Sequence, residues 1–121
     1  MKQQRQRGNT QKGKRGEDAA ARFLSDNGFA LIARNYKTHA GEIDIIAKDA
    51  CGVIVFIEVK ARFNENFGRP CESVGAVKQR RIKNAALAYL FAVGAPCGEC
   101  RFDIIEIDLR DLSAEHIINA F

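Results

Sequence analysis

The sequence predicts an α/β domain, with a central mixed β-sheet of four or five strands flanked by helices on both faces. Three observations lead to this class. A chain of 121 residues, 46% of them hydrophobic, has room for one domain with a sizeable core. Apolar residues recur at helical spacing in two segments, and runs rich in Val and Ile mark four strands. The order is helix, three strands, helix, strand, so the fourth strand can join the sheet parallel to an earlier one.

The N-terminal segment is basic and lacks apolar periodicity. Residues 1–15 contain Lys and Arg but no acid, although the net charge of the whole chain is only +4. We therefore predict a disordered basic tail over residues 1–13 and a single domain over residues 14–121. No apolar run reaches membrane-spanning length and no signal-peptide pattern is present, which predicts a soluble, cytoplasmic protein without membrane contact.

The four cysteines do not form a complete metal-binding pattern. Cys97 and Cys100 have the spacing of zinc ligands, but a structural site needs two more ligands, which Cys51 and Cys71 would have to supply through the fold. Reduced thiols of a cytosolic protein are the favoured interpretation, and metal binding by the four stays open.

The first helix is predicted over Lys14–Asn27, ending at Gly28 in the C′ position. Glu17 lies on its apolar stripe, which continues through Ala20, Ala21 and Leu24. Two interpretations of Glu17 stay open, because an acid in the first turn also stabilises the helix dipole without belonging to a site. The first strand is predicted over residues 29–37.

The next two strands form a predicted hairpin. Runs rich in Ile and Val, residues 41–46 and 55–60, flank the segment Asp49-Ala50-Cys51-Gly52-Val53. Its glycine suits the left-handed residue that closes a short hairpin loop. Alternation along the second strand predicts that Ile43 and Ile45 share the core face.

A hairpin centred on Cys51 brings two acids together. Asp44 lies opposite Glu58 and Glu42 opposite Lys60, with Cβ atoms about 4.5–5.5 Å apart. An exposed strand face with cross-strand ion pairs would explain the second pair. It does not explain the first, because opposed carboxylates repel each other unless a cation or a proton lies between them.

Two carboxylates and no nearby histidine favour Mg²⁺ or Mn²⁺, because such an ion keeps several waters and takes further oxygen ligands from phosphate groups. Lys60, two residues after Glu58, would lie beside the ion. There it can position or deprotonate a water, or neutralise charge on the phosphate. We therefore predict Asp44, Glu58 and Lys60 as catalytic residues, with Asp44 and Glu58 as metal ligands.

The remaining elements follow the hairpin. Residues 62–72 are predicted as a surface loop, and Ser73 as the N-cap of a second helix that runs to about Val93. The buried stripe of that helix is predicted to comprise Ile82, Ala85, Ala86, Tyr89, Leu90 and Val93. Residues 101–109 form the fourth strand, and residues 116–121 a last strand or a packed apolar segment.

Basic residues cluster at the start of the second helix, with no acid among them. Lys78 lies one turn before Ile82 on the buried stripe, which predicts that it points toward the sheet. A charge run on a helix is usually a solvated face. We nevertheless predict Lys78, Arg80 and Arg81, together with Arg62 on the charged face of the third strand, as contacts to a nucleic-acid backbone.

These residues resemble a known pattern. An acid on the second strand followed by Glu-x-Lys on the third, here Asp44, Glu58 and Lys60, resembles the PD-(D/E)xK motif of restriction-endonuclease-like nucleases. Over residues 16–121 the chain more closely resembles the YraN-type family of small bacterial predicted nucleases, which are similar to archaeal Holliday junction resolvases. The strings that carry this resemblance are Gly16-Glu17-Asp18-Ala19-Ala20, Asn35-Tyr36, Gly41-Glu42-Ile43-Asp44, Phe56-Ile57-Glu58-Val59-Lys60, Ser73-Val74, Lys78-Gln79, Arg101-Phe102-Asp103 and Ala120-Phe121.

The resemblance implies a restriction-endonuclease-like three-layer sandwich, with Glu17 as a third metal ligand. The expected function is metal-dependent hydrolysis of DNA phosphodiester bonds, with branched or junction DNA as one candidate substrate. A resolvase-like cut of two symmetric strands would require a two-fold homodimer. Two alternatives stay open: a nucleic-acid-binding module of the same fold that no longer cleaves, and a metal-dependent phosphohydrolase of a small substrate.

Overall fold

The α/β class is confirmed by a computed structural model, which describes residues 11–63, 74–95 and 99–121. The elements in chain order are α1 (Gln11–Asp26), β1 (Ala30–Lys37), β2 (Glu42–Lys48), β3 (Ile54–Arg62), α2 (Ala76–Val93), β4 (Cys100–Asp108) and β5 (Ser113–Ile117). Most of the predicted tail, most of the predicted loop, Ser73, Cys71 and Cys97 lie outside the described residues. Within those residues, neither helix combines the length and apolar content that crossing a membrane requires.

The sheet has five strands in the order β1-β2-β3-β4-β5. Neighbouring strands are antiparallel except β3 and β4, which pair in parallel over nine residue pairs from Ile54–Cys100 to Arg62–Asp108. The parallel pair follows from the chain path, because α2 carries the chain back to the N-terminal end of β3 before β4 begins. The predicted mixed sheet is thus confirmed, with five strands.

The two helices cover opposite faces of the sheet and enclose two apolar clusters. The α1-side cluster consists of Ala20, Ala21, Leu24, Ile45, Ala47, Val55, Ile57, Ile105, Ile107 and Leu109. The α2-side cluster consists of Ile43, Ile46, Phe56, Val74, Ile82, Ala85, Ala86, Tyr89, Leu90 and Ile104. Both faces of the central strands are therefore buried, which explains their nearly continuous apolar runs.

The starts of both helices differ from the predicted ones, and one residue of the predicted stripe is exposed. Helix α1 begins at Gln11, not at Lys14; Gln11 and Lys12 are good helix formers, whereas Gly13 between them and Lys14 is a poor one. Helix α2 begins after Gly75, which caps it without a side-chain hydrogen bond, so the predicted start at Ser73 is too early. Val93 is 54% exposed, contrary to the predicted stripe, because the chain leaves the helix there.

The predicted glycine after α1 is confirmed, and a second glycine, Gly94, ends α2 in the same way. Gly28 and Gly94 have φ of +87° and +72°, the left-handed region that an L side chain rarely adopts. At the first, the N–H of Phe29 donates to the carbonyl of Leu24 at 3.0 Å, and at the second, the N–H of Ala95 donates to that of Leu90 at 3.0 Å. These bonds satisfy carbonyls that the last helical turn leaves without partners.

The C-terminal segment forms its strand earlier than predicted. Strand β5 covers Ser113–Ile117, not residues 116–121. The last residues instead pack on the sheet: the N–H of Ala120 donates to the carbonyl of Phe102 at 2.7 Å, and the rings of Phe102 and Phe121 stack with centroids 5.4 Å apart.

Ile43 lies on the face opposite to the predicted one. Ile45 belongs to the α1-side cluster, whereas Ile43 and its partner on β1, Tyr36, pack on the α2 side. The physical reason is visible on β1, where Asn35 has a φ of +52° and interrupts the alternation of side chains. The alternation of side chains along β2 is thus broken between Ile43 and Ile45, beside Asp44.

A buried carboxylate fastens β5 to the sheet. Asp103 of β4 is fully buried, and it accepts hydrogen bonds from Arg101 Nε at 3.1 Å, from the N–H of Asn119 at 3.0 Å and from His116 Nε2 at 2.8 Å. Burial alone would raise the pKa of Asp103, but the bonds from His116, Arg101 and Asn119 outweigh it and hold that pKa below its ordinary value.

We expect Asp103→Asn to destabilise the fold at neutral pH by roughly 2–3 kcal/mol, because the amide cannot replace the charged acceptor. A carboxyl with a depressed pKa stabilises the fold above about pH 4, where it is also ionised in the unfolded chain, and loses this effect as the pH falls through its folded-state pKa. Urea unfolding should therefore show the difference between wild type and variant shrinking as the pH falls below about 4. Asp26→Asn, at an exposed position, is the control, and a difference independent of pH would contradict the assignment.

Candidate active site

The turn between β2 and β3 sets the register that was predicted. Gly52 has a φ of +89°, and Asp49 Oδ1 accepts the N–H groups of Cys51 and Val53, both at 2.9 Å. The hydrogen bond from Val53 is the main reason why the pKa of Asp49 is lowered. From this turn the strands pair from Lys48–Ile54 to Ile45–Ile57, the register of a hairpin centred on Cys51.

The β2–β3 ladder ends where the two predicted acids begin. The next pair in this register would be Asp44 and Glu58, which are 2% and 3% exposed. Here the N–H of Val59 donates to Asp44 Oδ2 at 2.8 Å. A side chain of β2 thus replaces a main-chain carbonyl as the acceptor for β3. Strand β3 continues its pairing with β4 as far as Arg62. The acids therefore lie where β2 and β3 stop pairing, and Glu58 belongs to a strand that β4 still holds from the other side.

Glu58 has its cationic partner on α2. Lys78 Nζ lies 2.7 Å from Glu58 Oε2, which agrees with the prediction that this lysine points toward the sheet. Repulsion between the two acids calls for a cation beside them, and in this structure an ammonium group of the chain itself neutralises Glu58.

The other residues predicted on β3 face a carboxylate of β4. Lys60 has Glu106 as its register partner, and Arg62 forms an ion pair with Glu106 Oε2 at 3.3 Å. Glu106 is only 2% exposed. Sequence reasoning missed Glu106, although an acid inside the run Ile104-Ile105-Glu106-Ile107 is itself a signal of a buried charge with a partner.

Glu17 is buried, as its place on the apolar stripe predicts. It has side-chain partners on β1. Its Oε1 accepts a hydrogen bond from Asn35 Nδ2 at 3.1 Å and lies 3.6 Å from Arg34, which also pairs with Asp18 at 2.8 Å. The hydrogen bond from Arg34 lowers the pKa of Asp18. Asn35 was missed as a site neighbour; an Asn within a strand, a residue type that tolerates a left-handed φ, was the available signal.

The predicted three-carboxylate ligand group is not assembled here. Across residues 11–63, 74–95 and 99–121, no three His, Cys, Asp or Glu side chains gather as a group that could hold a metal ion. Asp44 and Glu58 adjoin the end of one ladder, while Glu17 interacts with β1. Of the cysteines, Cys51 is exposed and Cys100 half-buried, both as free thiols.

A cleft with a volume of about 820 Å³ lies beside Lys78, and we call it the basic cleft. It is lined by Lys37, Thr38, Gly41, Glu42, Gly75, Ala76, Val77, Lys78, Arg81 and Ile82. Its walls are the turn between β1 and β2 and the first turns of α2. A Cβ atom on Gly41 would lie 2.9 Å from the carbonyl oxygen of Arg81, so only glycine allows this close approach. Arg80 is exposed on α2 and is not part of the lining.

The described elements define an α/β domain with a five-stranded mixed sheet between two helices, and comparison with known sequences identifies its family. Residues 16–107 match the Uncharacterised protein family UPF0102, so the chain belongs to this family, the YraN family of the sequence resemblance. A UPF0102 protein of Desulfosudis oleivorans is 49% identical over 111 residues, covering 92% of this chain and 89% of that protein. One of Dictyoglomus turgidum is 45% identical, covering 93% and 98%.

Among solved structures, an EndoMS-dsDNA2 complex is similar to the chain, with a TM-score of 0.42 and 20% sequence identity. The match covers 73% of this chain and 34% of the EndoMS chain, so this protein spans about a third of that chain's length.

Gly16 is predicted to be indispensable for seating α1, and therefore Glu17, on the sheet. A Cβ atom on Gly16 would lie 2.5 Å from Cβ of Ala61 on β3, closer than such atoms approach. Gly16→Ala should therefore lower the free energy of unfolding, although alanine in a helix interior normally adds about 1 kcal/mol. Thermal unfolding measures the change, and the double variant with Ala61→Gly should restore stability. A stabilised single variant would contradict this packing.

Proposed function

We propose that the protein is a metal-dependent nuclease that hydrolyses phosphodiester bonds of DNA. The observation that carries the proposal is the pair of buried acids, Asp44 and Glu58, at the point where β2 and β3 stop pairing, with Lys60 two residues further on β3. Buried carboxylates are costly without a cation or strong hydrogen bonds. Two of them opposite each other at the end of one ladder therefore favour a site that binds a cation.

The donor set fits a divalent cation. Asp44 and Glu58 supply hard oxygen ligands of the kind that Mg²⁺ or Mn²⁺ prefers. Glu58 Oε2 already forms an ion pair with Lys78 Nζ at 2.7 Å. Such an ion, when bound, would stabilise negative charge on the phosphate and acidify a water. Glu17, here hydrogen-bonded to Asn35, is the third candidate ligand, and Glu17→Gln tests its part separately.

Lys60 is the proposed proton-handling and charge-stabilising residue. It lies on the strand that carries Glu58, with Glu106 as its partner on β4. Its amine can orient the attacking water or take its proton, while the ammonium form stabilises the charge that develops on the phosphate oxygens. Glu106 and Arg62 pair beside it and help to balance the charge at this end of β3.

The proposed substrate is DNA, with branched or junction DNA as the finer hypothesis and a two-fold homodimer as the assembly that symmetric cutting would need. Lys78, Arg80 and Arg81 place three cations within one turn of α2, and two of them line the basic cleft. Lys78 and Arg81 favour contacts to phosphates at the cleft, and the exposed Arg80 is the proposed contact to a flanking phosphate.

A second candidate function has one specific observation in its favour. Because Lys78 neutralises Glu58 within the chain and the N–H of Val59 donates to Asp44, both acids have partners without a metal ion. A nucleic-acid-binding module of the same fold that does not cleave is therefore the competing proposal, and metal binding separates the two.

Mg²⁺ or Mn²⁺ should raise the melting temperature, by roughly 10 °C at about one hundred times the dissociation constant. Asp44→Asn should abolish this gain while leaving the metal-free protein folded, because the amide oxygen can still accept the N–H of Val59. Lys60→Ala is the matched control: the metal-dependent gain should persist while any DNA cleavage falls at least roughly 100-fold. Equal destabilisation by Asp44→Asn with and without metal would identify the acids as structural.

Replacing Lys78, Arg80 and Arg81 together by Ala should weaken DNA binding and flatten its salt dependence. Each cation that no longer neutralises a phosphate lowers the slope of log K against log salt by about 0.9 on duplex DNA. Affinity measured at a series of salt concentrations gives the slope. Lys48→Ala, at the exposed far end of β2, should leave it unchanged, and an unaltered slope in the triple variant would place the binding surface elsewhere.

A further inference from the structure

We propose that the basic cleft is a subsite for a backbone phosphate, and that Lys78 moves from Glu58 to this phosphate when a divalent cation binds Glu58. The proposal rests on the metal site of the proposed function and adds to it a phosphate subsite and the residue that couples the two.

Lys78 belongs to both places. Its Nζ atom contacts Glu58 Oε2 at 2.7 Å, yet its side chain is 39% exposed and lines the basic cleft. The buried partner is Glu58, at 3% exposure. A flexible lysine stem can redirect its ammonium group without moving the helix. The contact with Glu58 can therefore be given up for an anion in the cleft at little structural cost.

The position of Lys78 in α2 makes this contact exchangeable. It lies in the first turn, where the helix dipole disfavours a cation, and that turn contains no acid. Glu58 is the acid that compensates this placement. Once another cation occupies Glu58, repulsion between like charges a few ångströms apart drives the ammonium group away.

The basic cleft suits a phosphodiester. Lys37 and Arg81 line it together with Lys78, against one carboxylate, that of Glu42. The volume of about 820 Å³ falls in the range of ordinary ligand pockets. A phosphate there would receive the ammonium group that a metal ion displaces from Glu58.

Such an exchange makes the two ligands cooperative. Without phosphate, a metal ion must displace Lys78 from its partner, which weakens metal binding. With phosphate in the cleft, Lys78 gains a new partner, so each ligand strengthens the binding of the other by the same factor.

The test is calorimetric titration of the full chain with Mg²⁺, alone and with a saturating short DNA strand whose phosphorothioate linkages keep the charge and resist hydrolysis. In the wild type, the strand should tighten Mg²⁺ binding roughly fivefold or more. In Lys78→Met, Mg²⁺ should bind roughly fivefold or more tightly without the strand, and the strand should tighten this binding by a smaller factor than in the wild type, because only the direct contact of its phosphates with the ion remains. Lys78→Arg should retain the coupling, and Lys48→Met, which removes the same charge from the far end of β2, should behave as the wild type.

The failures are distinguishable. Mg²⁺ binding that the strand leaves unchanged in the wild type overturns the exchange and leaves the metal site standing, and this result needs no variant. Coupling of undiminished size in folded Lys78→Met also overturns it. If neither the wild type nor any variant binds Mg²⁺, the proposed function fails and the exchange fails with it.

Discussion

The candidate site depends on one hydrogen bond, from the N–H of Val59 to the carboxylate of Asp44. This bond ends the β2–β3 ladder without leaving the half-buried N–H of Val59 unsatisfied, because a side chain accepts where a strand carbonyl would otherwise do so. Strand β3 stays rigid there because β4 holds its other edge. Glu58, one residue before Val59, is thus presented from a strand that is fixed on one side and open on the other, which suits a site that needs both precision and access.

Two close approaches of backbone position the elements around this opening. Gly16 lets α1 lie against Ala61 of β3, and Gly41 lets the β1–β2 turn lie against Arg81 of α2. The first seats Glu17 beside β1, and the second forms a wall of the basic cleft. In both of the family strings that contain these glycines, an acid follows directly, Glu17 or Glu42. The glycine in each string therefore sets the approach that places the acid.

How far the sequence predicts this arrangement depends on the range of the interactions. The register of β2 and β3 was predictable because a short loop with a left-handed Gly52 determines it locally. The Lys78–Glu58 contact was predictable only as a direction, since it depends on how α2 packs on the sheet. The interaction of Glu17 with Asn35 was not predictable, because it depends on a positive φ within β1. Local rules of strand alternation fail there, which is also why Ile43 faces α2.

Two buried carboxylates in this sheet, those of Asp103 and Glu58, differ in what their surroundings allow them to do. Asp103 is fully buried, and its oxygens are occupied by a guanidinium, a ring nitrogen and a main-chain N–H, held from three directions. Glu58 is almost equally buried, but the ammonium group beside it belongs to a partly exposed side chain at the edge of a cleft. An acid enclosed like Asp103 can only stabilise the fold. An acid whose counter-charge can leave toward solvent can accept a different cation, and this distinction, more than burial alone, separates a candidate site from a structural ion pair.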